Sequence, residues 1–172
     1  VLSHSFPSTT FKKLFGEFKA KYPNAELVTY DAYTYAAALD AAQEVFGNRA
    51  LPVYDLSATE LVVSFQADFL GDYNANSLET SYAAARKPGA NMLRHIQVES
   101  NMSLTGANAD TRIKQKPSAV NKTLVELYNA IVGGGTSDKV ASEIAKELQA
   151  KGNKAVVFAD GSKASYVLAH LI

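Results

Sequence analysis

The order of short apolar runs and amphipathic stretches constrains the fold of this chain more than any other feature. Runs at residues 61–65, 93–98 and 155–158 have the length and the apolar content of strands. The stretches between them carry apolar residues at helical spacing. Strands that alternate with helices favour right-handed βαβ units and a parallel sheet. The sequence therefore predicts an α/β fold: a doubly wound, mostly parallel, Rossmann-like sheet with helices on both faces.

The first third of the chain gives weaker signals. Residues 1–3 have the pattern of a strand end, and Pro7-Ser8 precedes a helix with a stripe of phenylalanine and leucine. Residues 51–56 form a weak strand pattern that contains Pro52, so an edge or lead-in position is expected. The tyrosines and phenylalanines fall at helical or strand spacing, and we expect them in the core.

The composition excludes several kinds of site. The 172 residues include no cysteine, so disulfides, cysteine-bound iron–sulfur clusters and thiolate zinc sites are ruled out in this chain. Seventeen basic residues balance 17 acidic ones, and no nucleic-acid partner is expected. No apolar run approaches the roughly 20 residues that span a bilayer, so no direct membrane insertion is expected. The chain begins without methionine, and we expect residues 1–172 to be one domain, a segment of a longer protein; removal of a tag or leader is the alternative.

Two glycine-containing turns suggest anion binding at first sight. The glycines at 133–135 precede a helix, but a helix rather than a strand comes before them, which favours a simple helix break. Thr136 or Ser137 is the expected N-cap of the helix that follows these glycines. Residues 160–162, Asp-Gly-Ser, do follow a strand and open a helix, yet the short loop with one glycine favours a plain βα turn.

The histidines and serines give no catalytic pattern. His4, His95 and His170 share no ligand spacing, and they are interpreted as surface residues or as histidines satisfied by hydrogen bonds. No Gly-x-Ser-x-Gly elbow is present, so a hydrolase triad has no support. The sequence therefore predicts neither a metal site nor a catalytic residue.

One polar stretch, residues 91–119, is where the sequence places a site. Its first part alternates apolar and polar residues as a strand that ends near Val98, and Glu99 follows at the carboxyl end. A long polar segment comes next, and Pro117-Ser118 then open a helix with Ser118 as the expected cap. Ligands of open α/β sheets bind at the carboxyl ends of the strands, so a site is expected here.

Four motifs occur in order across the chain and carry a family resemblance. They are Ala67-Asp68-Phe69-Leu70, Val98-Glu99-Ser100-Asn101, Leu104-Thr105-Gly106-Ala107 with Ala109-Asp110, and Pro117-Ser118-Ala119. The last three, with Gln66-Ala67-Asp68 upstream in the place of a Gly-x-Asn turn, resemble the molybdopterin oxidoreductases of the dimethyl sulfoxide reductase and formate dehydrogenase type. The first three are more similar to a degenerate branch, the molybdopterin-like part of the iron–sulfur subunit of alternative complex III, a quinol:electron-acceptor oxidoreductase.

The resemblance implies both a cofactor position and the loss of its cofactor. Active members of the family hold molybdopterin guanine dinucleotide against a Gly-x-Asn turn and the loops after later strands. The matching positions of this chain are Gln66, Asp68, Glu99, Ser100, Thr105 and Asp110. Gln66 takes the place of the glycine and Asp68 that of the asparagine. At ~4 Å and an effective dielectric near 20, an ionised Asp68 would repel a diphosphate by about 4 kcal/mol, so we expect no cofactor in this segment.

The expected function is a scaffold without catalysis. By the resemblance, the domain belongs to the iron–sulfur subunit of a respiratory electron-transfer complex, whose iron–sulfur clusters lie in another domain. Its expected partners are the other domains of that subunit, cytochrome c and integral membrane subunits. The resemblance places it on the periplasmic side of the cytoplasmic membrane, although the segment carries no targeting signal. Two alternatives stay open: a nucleotide- or molybdopterin guanine dinucleotide-binding domain of an active oxidoreductase, and an unrelated flavodoxin-like binder.

Overall fold

The computed structural model describes residues 1–71, 78–89 and 91–172. These residues form two compact units, Val1–Tyr35 and Ala36–Ile172. The larger unit contains all the positions at which the sequence predicts a cofactor site. The assignment of the whole chain to one domain, within a longer protein, stays a prediction.

The smaller unit is a βαβ arrangement. Strand β1 (Leu2–Ser3) pairs in parallel with strand β2 (Val28–Thr29), and helix α1 (Thr9–Lys21) lies between them in the chain. Ser8 caps α1, because its side chain accepts a hydrogen bond from the N–H of Phe11. Helix α1 has no buried residue, so the prediction that its phenylalanines belong to a core is wrong.

The larger unit alternates helices and strands in the predicted manner. Its strands are β3 (Leu61–Phe65), β4 (Arg94–Glu99), β5 (Thr111–Lys114) and β6 (Ala155–Ala159). Its helices are α2 (Ala36–Phe46), α3 (Leu78–Ala85), α4 (Leu104–Ala107), α5 (Pro117–Val132), α6 (Lys139–Lys151) and α7 (Lys163–Leu171).

The four strands of the larger unit form one parallel sheet in the order β5-β4-β3-β6. The chain moves from β3 through β4 to β5, then returns through α5 and α6 to add β6 on the other side of β3. Such a reversal of direction is what makes a sheet doubly wound. The predicted α/β, Rossmann-like fold with a parallel sheet is confirmed.

Alternate side chains of the central strand enter two different cores. On one face, Leu61, Val63 and Phe65 pack with residues of α5, α6 and α7. On the other face, Val62 belongs to a cluster with Tyr82 of α3. Helices therefore lie on both faces of the sheet, and every residue of β3 is buried. This burial explains why the run Leu-Val-Val-Ser-Phe is almost continuously apolar.

Two loops differ from the sequence prediction. Residues 51–56 form no strand, and a proline inside them cannot donate to a ladder. The polar segment after β4 is more ordered than expected, because it contains α4 and β5. The sequence also predicts a loop at residues 68–76; this stretch is described only to residue 71, and its remainder lies outside the described residues.

Two of the predicted helix caps are wrong, those of α5 and α6. Helix α5 begins at Pro117, so Ser118 lies inside the helix rather than at its cap. Asp138 rather than Thr136 or Ser137 caps α6, and its side chain accepts from the N–H of Ala141. Gly133 ends α5 with φ 92°, which confirms the predicted helix break. Within residues 1–71, 78–89 and 91–172, no helix has the length and apolarity needed to cross a membrane.

Candidate functional site

The carboxyl ends of β3 and β4 carry five of the six predicted cofactor positions. The two strands are neighbours, and their pairing continues to Phe65 opposite Val98. The loops that follow the strands therefore meet at one edge of the sheet. We call the residues that meet there the carboxyl-edge cluster: Gln66, Asp68, Glu99, Ser100 and Thr105.

A hydrogen-bonded link joins the two loops of the cluster. Asp68 Oδ1 accepts from the N–H of Thr105 at 2.9 Å and from its hydroxyl at 2.7 Å. The same hydroxyl accepts from the N–H of Leu70 at 2.9 Å. A Cβ at Gly71 would lie 2.4 Å from Asp68 Oδ2, so the turn closes tightly over the carboxylate. The loop after β3 is therefore fastened to the loop after β4.

Gln66 adopts a backbone conformation that glycine favours. Its φ is 63°, and it is the one residue other than glycine with positive φ among the residues described. Its N–H donates to the carbonyl of Val98, and its side-chain Oε1 accepts from the N–H of Ser100 at 3.2 Å. The glutamine side chain thus takes up a donor on the neighbouring loop.

Glu99 is the buried charge of the cluster. Its side chain is 2% exposed and accepts from Arg112 Nε at 2.5 Å and from the hydroxyl of Ser103 at 2.6 Å. Burial acts to raise the pKa of Glu99, but the hydrogen bonds from Ser103 and Arg112 outweigh it and hold the pKa below its ordinary value. Glu99 is therefore an ionised structural carboxylate at neutral pH.

Behind Glu99 lies a column of polar side chains on one face of β4. His95, Gln97 and Glu99 alternate along the strand and are all buried. Tyr82 O–H lies 3.0 Å from His95 Nδ1, and His95 Nε2 lies 3.3 Å from Gln97 Oε1. Burial lowers the pKa of His95 to about 4. His95 is therefore neutral and satisfied by hydrogen bonds, one of the two interpretations offered by the sequence.

Four members of this polar network were not predicted from the sequence: His95, Gln97, Ser103 and Arg112. A signal was present for the first two, because His-x-Gln-x-Glu places three polar residues at a spacing of two within an apolar strand. No pattern in the sequence predicts the pairing of Arg112 with Glu99, because Arg112 reaches this carboxylate only after strand β5 has paired with β4.

Asp110, the sixth predicted position, lies apart from the cluster. Its Oδ2 accepts from the N–H of His95 at 2.7 Å and from Arg86 Nη1 at 2.5 Å. His95 is the second residue of β4, so Asp110 sits beside the first half of that strand rather than at its carboxyl end. Burial acts to raise the pKa of Asp110, but the bonds from Arg86 and from the His95 N–H lower it overall.

Four backbone donors of the carboxyl edge are already used. The N–H groups of Leu70, Ser100 and Thr105 donate to side chains of the chain itself, as described above, and that of Gly106 donates to Ser103 Oγ at 2.9 Å. The hydroxyl of Ser100 differs, because its buried oxygen has no hydrogen-bond partner in the described part of the chain. An anion at this edge would have to displace the existing acceptors.

Two further kinds of site were considered from the sequence: a metal site and an anion site in the turn at residues 160–162. Among the described residues, no three histidine or carboxylate side chains are grouped to hold a metal ion. In the Asp-Gly-Ser turn, Asp160 Oδ1 accepts from the N–H of Gly161 at 2.7 Å and from the hydroxyl of Tyr166 at 2.6 Å. Ser162 caps α7 by accepting from the N–H of Ser165. These bonds are those of a plain βα turn.

Gly106→Ala is expected to lower the free energy of unfolding by about 2 kcal/mol, the range of overpacking in a tight core. A Cβ at this position would lie 2.0 Å from Glu99 Oε1, and the clamped carboxylate would have to move. Gly89→Ala is the matched control, because its Cβ would lie 4.0 Å from the carbonyl oxygen of Lys87, the nearest atom beyond its chain neighbours. Urea unfolding followed by circular dichroism measures both variants, and equal stabilities would contradict the described packing.

The fold and the cluster define the class of this protein as a parallel, Rossmann-like α/β domain whose carboxyl edge is cross-linked by its own side chains. Neither the models of known protein families nor the curated proteins match this sequence significantly. The function is therefore inferred from the chemistry of the carboxyl-edge cluster together with the sequence resemblance.

Proposed function

We propose that this chain is a scaffold domain without catalysis in the iron–sulfur subunit of a respiratory, quinol-oxidising electron-transfer complex. The sequence resemblance to molybdopterin oxidoreductases, and to their degenerate relative in alternative complex III, suggests the kind of complex. The carboxyl-edge cluster supports the loss of cofactor binding, because its polar groups bond to one another. The fold alone carries little weight, since one α/β architecture hosts many functions.

The observation that carries the proposal is the link from Asp68 to Thr105. A diphosphate at a strand edge is held by N–H and O–H donors. Both donors of Thr105 are directed at Asp68 Oδ1, within 3 Å. The carboxylate of Asp68 therefore occupies the position from which a phosphate oxygen would accept these hydrogen bonds. At ~4 Å and an effective dielectric near 20, an ionised Asp68 and a phosphate repel each other by about 4 kcal/mol.

The nearby cation gives no compensation. Arg112 donates to Glu99, and this carboxylate is almost fully buried. An incoming anion that drew Arg112 away would leave the buried charge unpaired, which costs roughly 3–5 kcal/mol. The ion pair therefore acts as part of the frame of the domain rather than as an anion receptor.

The proposed role is to present surfaces. By the resemblance, those surfaces meet the other domains of the iron–sulfur subunit, which hold the clusters, and the cytochrome c and integral membrane subunits. The same resemblance proposes the periplasmic side of the cytoplasmic membrane as the location. Molybdopterin guanine dinucleotide is proposed to be absent, and no residue is assigned a catalytic role.

Calorimetric titration with guanosine diphosphate tests the proposal. We expect no saturable heat, because both donors of Thr105 are bonded to Asp68 and this carboxylate repels a diphosphate. Saturable binding with a Kd below ~10 μM, about −7 kcal/mol, would overturn the proposal. Stoichiometric molybdenum or pterin in the purified intact subunit would overturn it as well.

Asp68→Asn is the informative companion variant. Asparagine keeps the size of the side chain and an oxygen that can accept from Thr105, but it removes the charge. Binding that appears only in this variant would show that charge excludes the ligand. Continued absence of binding would show that the shape of the edge excludes it too.

The second candidate function is a domain that still binds a nucleotide or molybdopterin guanine dinucleotide. One observation favours it: the buried hydroxyl of Ser100 lacks a hydrogen-bond partner in the residues described, at the edge where the ligand would lie. If the titration does detect binding, Ser100→Ala is expected to weaken it, whereas Ser81→Ala on α3 is the control.

A further inference from the structure

Helix α1 of the smaller unit carries an exposed row of aromatic rings. Phe11, Phe15 and Phe18 recur at helical spacing on one face of the helix. The row extends to Phe6 before the helix and to Tyr22 at its end, and successive rings are in contact, with centroids 4.9–6.5 Å apart. Phe18 is 42% exposed and Tyr22 is 50% exposed. We call these five residues the aromatic row, an apolar surface that meets solvent.

Lysines border the aromatic row on both sides. At about 100° per residue, Lys12 and Lys19 lie along one side of the row and Lys21 along the other. Lys13 lies on the opposite face of the helix. All four lysines are exposed, and none of them forms an ion pair within the part of the chain that the structure describes. The helix contains one acidic residue, Glu17, so positive charge predominates around the row.

This combination is typical of helices that lie in a lipid–water interface. Such helices have low overall hydrophobicity, phenylalanine and leucine on one face, and lysines around that face. The rings enter the boundary between headgroups and acyl chains, while the lysine ammonium groups reach the anionic headgroups. Leu14 lies beside the aromatic row and is 62% exposed, so it adds to the face that would enter the lipid. A helix bound in this way lies along the bilayer surface and does not cross it.

The charge and shape of α1 disfavour two other occupants of this face. A second copy of α1 would bring the lysines that border the two rows close together, and like charges at such distances repel. An acidic protein would have to supply both a groove that fits the aromatic row and carboxylates along its two sides. A lipid surface needs no such complementary shape, because its headgroups and acyl chains rearrange around the helix.

We propose that α1 binds the surface of a bilayer that contains anionic lipids. The aromatic row and Leu14 enter the boundary of the acyl chains, and Lys12, Lys19 and Lys21 lie at the level of the headgroups. The attraction of each lysine depends on the negative surface potential and acts within about one Debye length of the surface. This surface lies within the smaller unit and includes no residue of the carboxyl-edge cluster, so the inference does not depend on the proposed scaffold function.

Flotation of the 172-residue chain with vesicles is the first test, with one sample of phosphatidylglycerol vesicles and one of phosphatidylcholine vesicles. We expect binding to the anionic vesicles at low salt, much weaker binding to the zwitterionic vesicles, and a decrease as salt is added. A chain that binds neither kind of vesicle, or both equally, overturns the inference. Binding to polyglutamate without binding to vesicles would assign this face to an acidic protein and would overturn it as well.

Two variants at exposed positions test whether α1 is the part of the chain that binds. Leu14→Gln is expected to weaken binding to phosphatidylglycerol vesicles by about tenfold, because it removes apolar surface from the face that enters the lipid. Lys19→Gln is expected to weaken it by about fivefold, the contribution of one lysine near an anionic surface. Circular dichroism of both variants checks that they keep the helix content of the original chain.

Each variant has a matched control. Val53→Gln makes the same kind of change at a residue that is 91% exposed in the larger unit, and it is expected to leave vesicle binding unchanged. Lys13→Gln removes the same charge from the opposite face of α1 and is expected to weaken binding less than Lys19→Gln does. Equal losses in Leu14→Gln and Val53→Gln, or in Lys19→Gln and Lys13→Gln, would show that the aromatic row does not face the lipid.

Discussion

Replacing Glu99 with alanine is expected to lower the free energy of unfolding by about 3 kcal/mol, the low end of the cost of breaking a buried ion pair. Glu99 is 2% exposed, whereas the side chain of Arg112 is 25% exposed and can turn partly to water. The variant also removes the acceptor of the Ser103 hydroxyl. Urea unfolding at neutral pH, followed by circular dichroism, measures the loss.

Glu147→Ala is the matched control for this variant. Glu147 also pairs with an arginine, Arg94, at 2.6 Å, but both side chains are more than a third exposed. Exposed ion pairs contribute about 0–1 kcal/mol, so this variant is expected to change stability much less. Similar losses in the two variants would mean that burial of Glu99 is not what makes its ion pair important.

The second large effect is an acid-induced loss of stability centred on His95. The unfolded chain binds a proton at this histidine near pH 6.5, whereas the folded chain does so only near pH 4, because the ring is buried. The stability that neutral His95 contributes is therefore fully present above pH 6.5, and it is lost as the pH decreases toward 4. A shift of this size corresponds to about 3 kcal/mol.

Urea unfolding at a series of pH values between 7 and 4 measures this dependence, and His95→Gln is the variant that isolates it. Glutamine is uncharged throughout, so its unfolding free energy is expected to change much less over the same interval. The carboxylates Glu99 and Asp110, whose pKa values are lowered, add their losses mainly below their ordinary pKa values, near 4 and under. An unchanged pH dependence in the variant would assign the effect to other groups.

Much of the fold was predictable because its signals are local. Strand β3 was predicted at its observed bounds, because a short, almost continuously apolar run is typical of a parallel strand that is buried on both faces. The helix break after α5 was predicted from three consecutive glycines. Helix caps were less predictable, because Ser118, Thr136, Ser137 and Asp138 are all acceptable cap residues and packing chooses among them.

The candidate site was predictable in part. Five of its six positions meet at the carboxyl edge, because adjacent parallel strands must bring their following loops together. Asp110 does not join them, since it precedes β5 and bonds beside the first half of β4. Its place depended on the register of β5, which no local pattern reveals. Loss of the cofactor itself stays a prediction.

The sequence by itself determined the alternation of strands and helices, the parallel sheet and the edge at which its loops gather, because apolar periodicity and strand direction are local properties. Only the tertiary structure decided how that edge is filled. Asp68 reaches Thr105 and Glu99 reaches Arg112 across neighbouring elements, and these pairs are distant in the chain. Hydrogen bonds and ion pairs of this kind depend on distances of a few tenths of an ångström, which are fixed only when the sheet is assembled.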